Sequence, residues 1–206
     1  MNTREFVLRD EIETIFRRIM HIFITVRPRK RRLSPLIFLL FHPRPPTDCD
    51  QVYPNIYLGN ASAAKNRSYL ASLGITHVLN AAHGNRSGRV NTGAVYYHNT
   101  RINYMGLNLD DLPSQRIFPY FQQSANFIHR AITSGGKVLV HCVMGISRSA
   151  TIVCAYLMIK QGMNIEEALT TLRSARLIRP NDGFLYELII LEKYLSNLRT
   201  PLPAVP

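Results

Sequence analysis

The chain has no tryptophan, only three cysteines, and too few acids to balance its bases: 13 Asp/Glu stand against 25 Lys/Arg in 206 residues. Cys49, Cys142 and Cys154 form neither a Cys-x-x-Cys pair nor an even framework. A disulfide scaffold is therefore excluded, and a reducing compartment, cytoplasm or nucleus, is expected. The seven histidines show no His-x-x-x-His or mixed Cys/His spacing, so neither a metal nor another cofactor is expected. Long apolar runs are also missing. The best, Leu36 to Phe41, is far too short to span a bilayer. No secretory signal is expected, because acids precede the first apolar stretch and no small-residue cleavage site follows it. There are no internal repeats.

What remains fits one ordinary domain with an extension. The formal charge is +12, and half of it lies in residues 1–46, which hold ten Lys/Arg and four Asp/Glu. Such a surface favours acidic or phosphorylated partners. Residues 6–26 carry apolar side chains at Leu8, Ile12, Ile15, Ile19 and Ile22, which is helical spacing. This is expected to be an amphipathic extension that packs or frays; the alternative is a membrane-surface helix making weak contact with anionic lipid. The basic run Arg27 to Arg32 reads as a solvated linker or, alternatively, a nuclear address. Pro43, Pro45 and Pro46 complete a linker. The expected organisation is a basic extension over 1–47, dispensable for catalysis, a catalytic domain over 48–198, and a disordered tail over 199–206.

Within the domain the text alternates between strand and helix patterns. Val52–Leu58, Ile75–Asn80, Ala94–Thr100, Arg101–Met105 and Lys137–His141 read as strands. Ala61–Leu73, Ile117–Ile132 and Ala150–Ile159 read as helices, followed by one capped by Asn164 and a last one starting at Asn181-Asp182-Gly183 and running to about Leu198. That order predicts a single α/β domain with a mostly parallel twisted sheet flanked by helices, its site at the carboxyl ends of the strands.

The chemistry is concentrated between Lys137–His141 and the helix that follows, in His141, Cys142, Val143, Met144, Gly145, Ile146, Ser147, Arg148 and Ser149. A strand-to-helix turn aims backbone N–H groups and the positive end of a helix dipole at one point, which suits a phosphate. Arg148 adds a guanidinium fork for two phosphate oxygens, and Gly145 a permissive backbone. A free thiol with a pKa of about 8.5 is only about 3% ionised at pH 7. This environment favours the thiolate, making Cys142 a nucleophile toward phosphorus, with Ser149 placed to stabilise the departing sulfur. Cys154, in the apolar helix, reads as packing.

The pattern His-Cys-x-x-Gly-x-x-Arg-Ser resembles the active-site loop of the cysteine-based protein phosphatases. The resemblance extends over about residues 48–198. Tyr57-Leu-Gly-Asn-Ala-Ser62, Gly74-Ile-Thr-His-Val-Leu-Asn-Ala-Ala82, Ala155-Tyr-Leu-Met158 and Pro180-Asn-Asp-Gly-Phe184 look like the atypical dual-specificity phosphatases, in particular the vaccinia H1-related type. It implies Cys142 as nucleophile, Arg148 and the backbone of Val143 to Arg148 as phosphate cradle, and Ser149 as helper in breakdown of the phosphoenzyme. It puts the general acid at Asp111, with Asp110 as runner-up, both within a stretch whose residues alone allow either. Arg176 corresponds to a basic residue that engages phosphorylated substrates, whereas Arg173 and Arg179 read as solvated; His141 is expected to order the loop and tune the thiolate. Met144 and Ile146 depart from the type, which has an acid and a tyrosine there, so the loop is more apolar.

The implied activity is hydrolysis of phosphotyrosine and phosphoserine/phosphothreonine, with mitogen-activated protein kinases as substrates and no nucleic-acid partner. The loop has no lysine of the kind inositide phosphatases use. The missing tryptophan argues against a glucan-binding module. Alternatives are a phosphoprotein-binding scaffold without turnover, or a phosphatase of a non-protein phosphoester.

Overall fold

The structure, a computed structural model, describes residues 3–27 and 48–199. The basic cluster beyond Arg27, the apolar run 36–41, the proline linker and the tail from residue 200 lie outside the described residues. Strands β1 (Cys49–Tyr53), β2 (Ile56–Gly59), β3 (His77–Asn80), β4 (Asn103–Gly106) and β5 (Val138–His141) form one sheet in the order β1-β2-β5-β3-β4. β1 and β2 are an antiparallel hairpin; the other pairings are parallel, as the alternating pattern predicts. Gly59 and Asn80 both pair with His141, and Gly106 with Asn80, so the parallel strands end together. The loops that leave β3, β4 and the central β5 therefore meet at one edge.

Period-two alternation divides the strand side chains between two cores. Ile56, Leu58, Leu79, Val138 and Val140 face the larger, with helices α4 (Phe121–Thr133), α5 (Arg148–Lys160), α6 (Ile165–Ala175) and α7 (Asp182–Arg199). Tyr57, Val78 and Leu139 face the smaller, under α2 (Ala61–Lys65) and α3 (Arg67–Leu73). α5 is buried from Arg148 to Met158, flanked by α4, α6 and α7. This explains why its sequence is apolar all round. Cys154 is fully buried there, and burial followed by the nearby Glu192 pushes its thiol well above the usual range, as expected for packing. Asn164 caps α6 in a reciprocal box with Glu167.

Three elements differ from the sequence expectation, each through a turn residue or a tyrosine hydroxyl. The strand expected over Val52–Leu58 is a hairpin, because Pro54 lacks an N–H and Asn55 adopts φ 63°, a left-handed conformation that asparagine tolerates. The helix expected over Ala61–Leu73 breaks at Asn66, whose side chain accepts from Tyr69 N to start α3 while its N–H closes α2 on Ala63 O. The strand expected over Ala94–Thr100 is a short 3₁₀ turn at Val95–Tyr97. Its tyrosines reach back to α2, Tyr97 Oη donating to Ala64 O (2.7 Å) and Tyr96 Oη to Lys65 O (2.5 Å).

The extension forms helix α1 (Thr3–Thr25), which packs on α6 and α7. Ile19 and Ile22 are buried, and Ile12, Ile15, Phe16 and Phe23 pack against the larger core. Arg18–Glu166 (3.0 Å) and Lys193–Glu11 (2.7 Å) ion pairs border the contact. The apolar face proposed to lie on a membrane is thus taken up by the protein itself, which corrects that alternative for these residues. No helix among the described residues is long and apolar enough to cross a membrane.

Candidate active site

The loop from Cys142 to Ser147 joins β5 to α5, and its shape follows from where its carbonyls go. Val143 O accepts from Ala61 N (2.9 Å), Met144 O from Arg176 Nη2 (3.0 Å), Gly145 O from Arg176 Nε (2.8 Å) and Ile146 O from Arg179 N (3.0 Å). With the carbonyls drawn outward, the amides of the same peptides turn toward the interior of the curl, at the N-terminus of α5, where an anion is favoured. Gly145 has φ 69°, and a Cβ there would lie 2.4 Å from Gly59 O, so only glycine fits this close approach.

Cys142 is 1% exposed, and its Sγ accepts from Gly145 N (3.2 Å) and Ser149 Oγ (3.4 Å). Burial alone raises the thiol pKa, but the charge of Arg148 and the hydrogen bonds from Ser149 and Gly145 outweigh it, leaving the thiol below its ordinary value. His141 is fully buried with Nδ1 3.2 Å from Cys142 O, a contact that requires the Nδ1–H tautomer. Burial, reinforced by Arg148 and Lys65 and opposed by that hydrogen bond, takes its pKa down to about 4. His141 is therefore neutral at neutral pH and sits beneath the loop without adding positive charge.

This gives a stability prediction. The unfolded histidine titrates near 6.5, so below that pH the unfolded chain takes up a proton that the folded protein refuses until about pH 4. Stability from this group is complete above pH 6.5 and falls as pH drops, by about 3 kcal/mol in all. In denaturant unfolding followed from pH 7 to 4, wild type should lose about 2 to 3 kcal/mol more than His141→Asn. Equal losses would show that His141 titrates normally.

Arg148 is 4% exposed; its Nη1 donates to Gly88 O (2.9 Å) and Leu109 O (3.0 Å), which come from the loops after β3 and β4. Those two carbonyls orient the fork. Its buried Nε has no hydrogen-bond partner and lies 3.4 Å from Asp111 Oδ2. Asp111 Oδ1 accepts from Ser147 Oγ (2.6 Å) and Asn181 Nδ2 (3.0 Å), so this carboxylate stands at the rim of the curl. Asp110 instead pairs with Arg89 at 2.5 Å, an arginine whose side chain is 3% exposed. The loop carrying both acids is held by α7. Glu187 accepts from Ile117 N (2.6 Å) and Phe118 N (2.5 Å), and Gly183 lies so close to Pro113 O that a Cβ would sit 1.9 Å from it.

The structure thus brings Cys142, Arg148, Ser149 and Asp111 together with the backbone of Val143 to Ser147. Arg176 is the exception. Expected at the substrate surface, it is 4% exposed and spent on the scaffold, bonding Asp48 (2.6 Å) and Asp50 (2.8 Å) besides the two loop carbonyls. Its desolvation is outweighed by those carboxylates, which keep it above its ordinary pKa. The two acids supply the compensation a buried guanidinium requires. Arg173 and Arg179 also differ from the solvated reading, since Arg173 is buried and both stack on Phe23. Sequence reasoning read Asn181 only as a helix start and passed over Asp48, Asp50 and Gly88. The Pro-Asn-Asp-Gly signature carried a signal for Asn181; a carbonyl such as Gly88 O carries none. Among the described residues, no group of three or more His, Cys, Asp or Glu side chains gathers to hold a metal ion.

A buried thiol under backbone donors, an orienting arginine and a carboxylate at the rim can capture and cleave a phosphate ester. The family signature for the dual specificity phosphatase catalytic domain matches residues 56–194. The chain belongs to that family. This phosphatase is 46% identical to human dual specificity protein phosphatase 13B over 149 residues, 72% of this chain and 74% of the relative. It is 44% identical to human dual specificity protein phosphatase 26 over 149 residues, covering 72% and 69% respectively. Among solved structures it resembles human DUSP28, with TM-score 0.65 and 27% identity over 73% of this chain and 97% of the other. It is accordingly a protein tyrosine/serine/threonine phosphatase of the atypical kind, and its α/β architecture is theirs.

Proposed function

We propose that this phosphatase works through a phosphocysteine intermediate on doubly phosphorylated activation loops of the mitogen-activated protein kinase type. The observation that carries the chemistry is the curl around Cys142, with carbonyls bound outside, amides within, and a thiol held below its ordinary pKa. In the first step Cys142 Sγ attacks phosphorus, the P–O ester bond breaks, and Asp111 gives its proton to the leaving oxygen. Arg148 and the loop amides hold the other phosphoryl oxygens as charge builds on them. Then water attacks phosphorus, Asp111 takes its proton, the S–P bond breaks, and Ser149 Oγ–H stabilises the released thiolate as inorganic phosphate departs. Arg176 acts by holding the loop. The substrate class rests on the resemblance to the vaccinia H1-related type and on the basic balance of the chain, which favours phosphorylated partners. A thiol that must stay reduced suits the cytoplasm or nucleus.

The test is phosphate release from a peptide bearing phosphothreonine and phosphotyrosine two residues apart, beside both singly phosphorylated forms. Loss of both phosphates, with a trapped phosphoenzyme seen by mass spectrometry after acid quench, is the expected result. Tight binding without release would favour a scaffold. Release from a phosphoinositide but from no peptide would assign a non-protein substrate.

A further inference from the structure

The C-terminal end of α1 is tied to the same short segment that holds the catalytic loops. The ring of Phe23 meets two guanidinium groups, with Arg179 Cζ 4.8 Å and Arg173 Cζ 5.1 Å from its centroid. Phe23 O accepts from Arg173 Nη2 (2.5 Å), and Arg173 Nη1 donates to Ile178 O (2.7 Å). Arg179 Nη2 also approaches Met20 Sδ (3.7 Å) and Asp182 Oδ1 (3.0 Å). The negative end of the α1 dipole therefore meets a pair of arginines, which favours this contact beyond ring stacking.

From that anchor, each route leads into the active site within three residues. The Arg179 N–H bonds Ile146 O, Asn181 N meets Ser147 Oγ (3.3 Å), and Asn181 Nδ2 holds Asp111 Oδ1. Arg176, three residues before Arg179, bonds Met144 O and Gly145 O. The segment 176–181 thus holds three of the four outward carbonyls of the cradle and orients the rim carboxylate, and α1 meets it at Arg179.

We infer that Phe23 is a positioning residue for the phosphatase reaction, acting through Arg179 on the 142–148 loop and on Asp111, so that the N-terminal helix is a working part of the catalytic unit. This rests on the reading of that loop as the phosphate cradle. It predicts, against the expectation from the sequence, that removing the extension lowers turnover. Small displacements of aligned groups are costly in rate.

The experiment compares full-length wild type, Phe23→Ala, Phe23→Trp, Arg179→Met and Ile12→Ala with an aryl phosphate, each verified as folded by circular dichroism. Ile12 packs α1 on the core and touches neither arginine. Phe23→Ala and Arg179→Met should lower kcat/KM about tenfold, weaken inhibition by inorganic phosphate, and move the acid limb of the pH profile upward. Phe23→Trp, which keeps a ring face for the arginines, and Ile12→Ala should stay near wild type. Wild-type kinetics and pH profile in Phe23→Ala, or an equal fall in Ile12→Ala, would overturn the inference. If Phe23→Ala does not fold, Phe23→Leu is measured in its place and decides, because it keeps an apolar side chain and removes the ring face, whereas Arg179→Met also removes the side-chain bonds to Pro180 O and Asp182. A wild-type protein that releases no phosphate would remove the cradle reading and this inference with it.

Discussion

Cys142→Ser should abolish phosphate release, by on the order of 10⁵-fold, while phosphopeptide binding stays close to wild type. The two effects separate because they use different atoms. Binding draws on Arg148 and the inward amides, which the substitution leaves alone. Turnover needs an anionic nucleophile at neutral pH, and the interactions that lower a thiol pKa, Arg148 together with the donors Ser149 and Gly145, start from a far higher value for a hydroxyl. Stopped single-turnover phosphate release and calorimetry with the doubly phosphorylated peptide would measure both. In wild type, the rate of alkylation by iodoacetamide should titrate with a midpoint below that of free cysteine. Residual turnover above about 1% in the serine variant would exclude Cys142 as the nucleophile, given the loss such a substitution causes.

Asp111→Asn should lower kcat by about 10²-fold or more, and the alkaline limb of the pH–rate profile should vanish with it. Asparagine preserves the acceptor for Ser147 Oγ and Asn181 Nδ2, so the loss reports the missing proton rather than a collapsed loop. Asp110→Asn should change kcat little, because Asp110 is engaged with buried Arg89. Its effect should fall on stability instead, since Arg89 then loses its charge partner. The discriminating measurement is kcat with substrates of graded leaving-group pKa: Asp111→Asn should be most impaired on poor leaving groups and least on good ones. A larger loss in Asp110→Asn would reassign the acid.

Several residues show what could be seen before folding and what could not. Cys142, Gly145, Arg148 and Ser149 are legible because they lie within eight residues on a strand-to-helix turn, and local geometry alone brings them to one anion. The sheet is legible for a similar reason: β5 and β3 carry adjacent apolar residues, Val138-Leu139-Val140 and Val78-Leu79, that are buried on both faces, as parallel strands covered on two sides must be. Asp111 could be narrowed to a pair but not separated from Asp110, since neighbouring carboxylates differ only in what they meet, one Arg89 and the other Ser147 with Asn181. Arg176 and Arg179 looked like solvated or substrate-facing cations on a helix, and nothing local announces that Asp48, Asp50 and Phe23 will cover them. Ala94–Thr100 looked like a strand because tyrosine and valine favour one, until a turn let Tyr97 satisfy its hydroxyl on Ala64 O.

By itself, then, the sequence determined the make-up of the loop around Cys142, the parallel α/β order and the family, all of which depend on contiguous residues, hydrophobic period and caps. Only the tertiary structure decided which carboxylate faces the cradle, which arginines support it rather than the substrate, and that the amphipathic extension closes on α6 and α7. These are contacts between residues up to 182 positions apart, such as Lys193 and Glu11. A charge in the sequence has no assigned partner until burial removes water as the alternative, and burial belongs to the assembled fold.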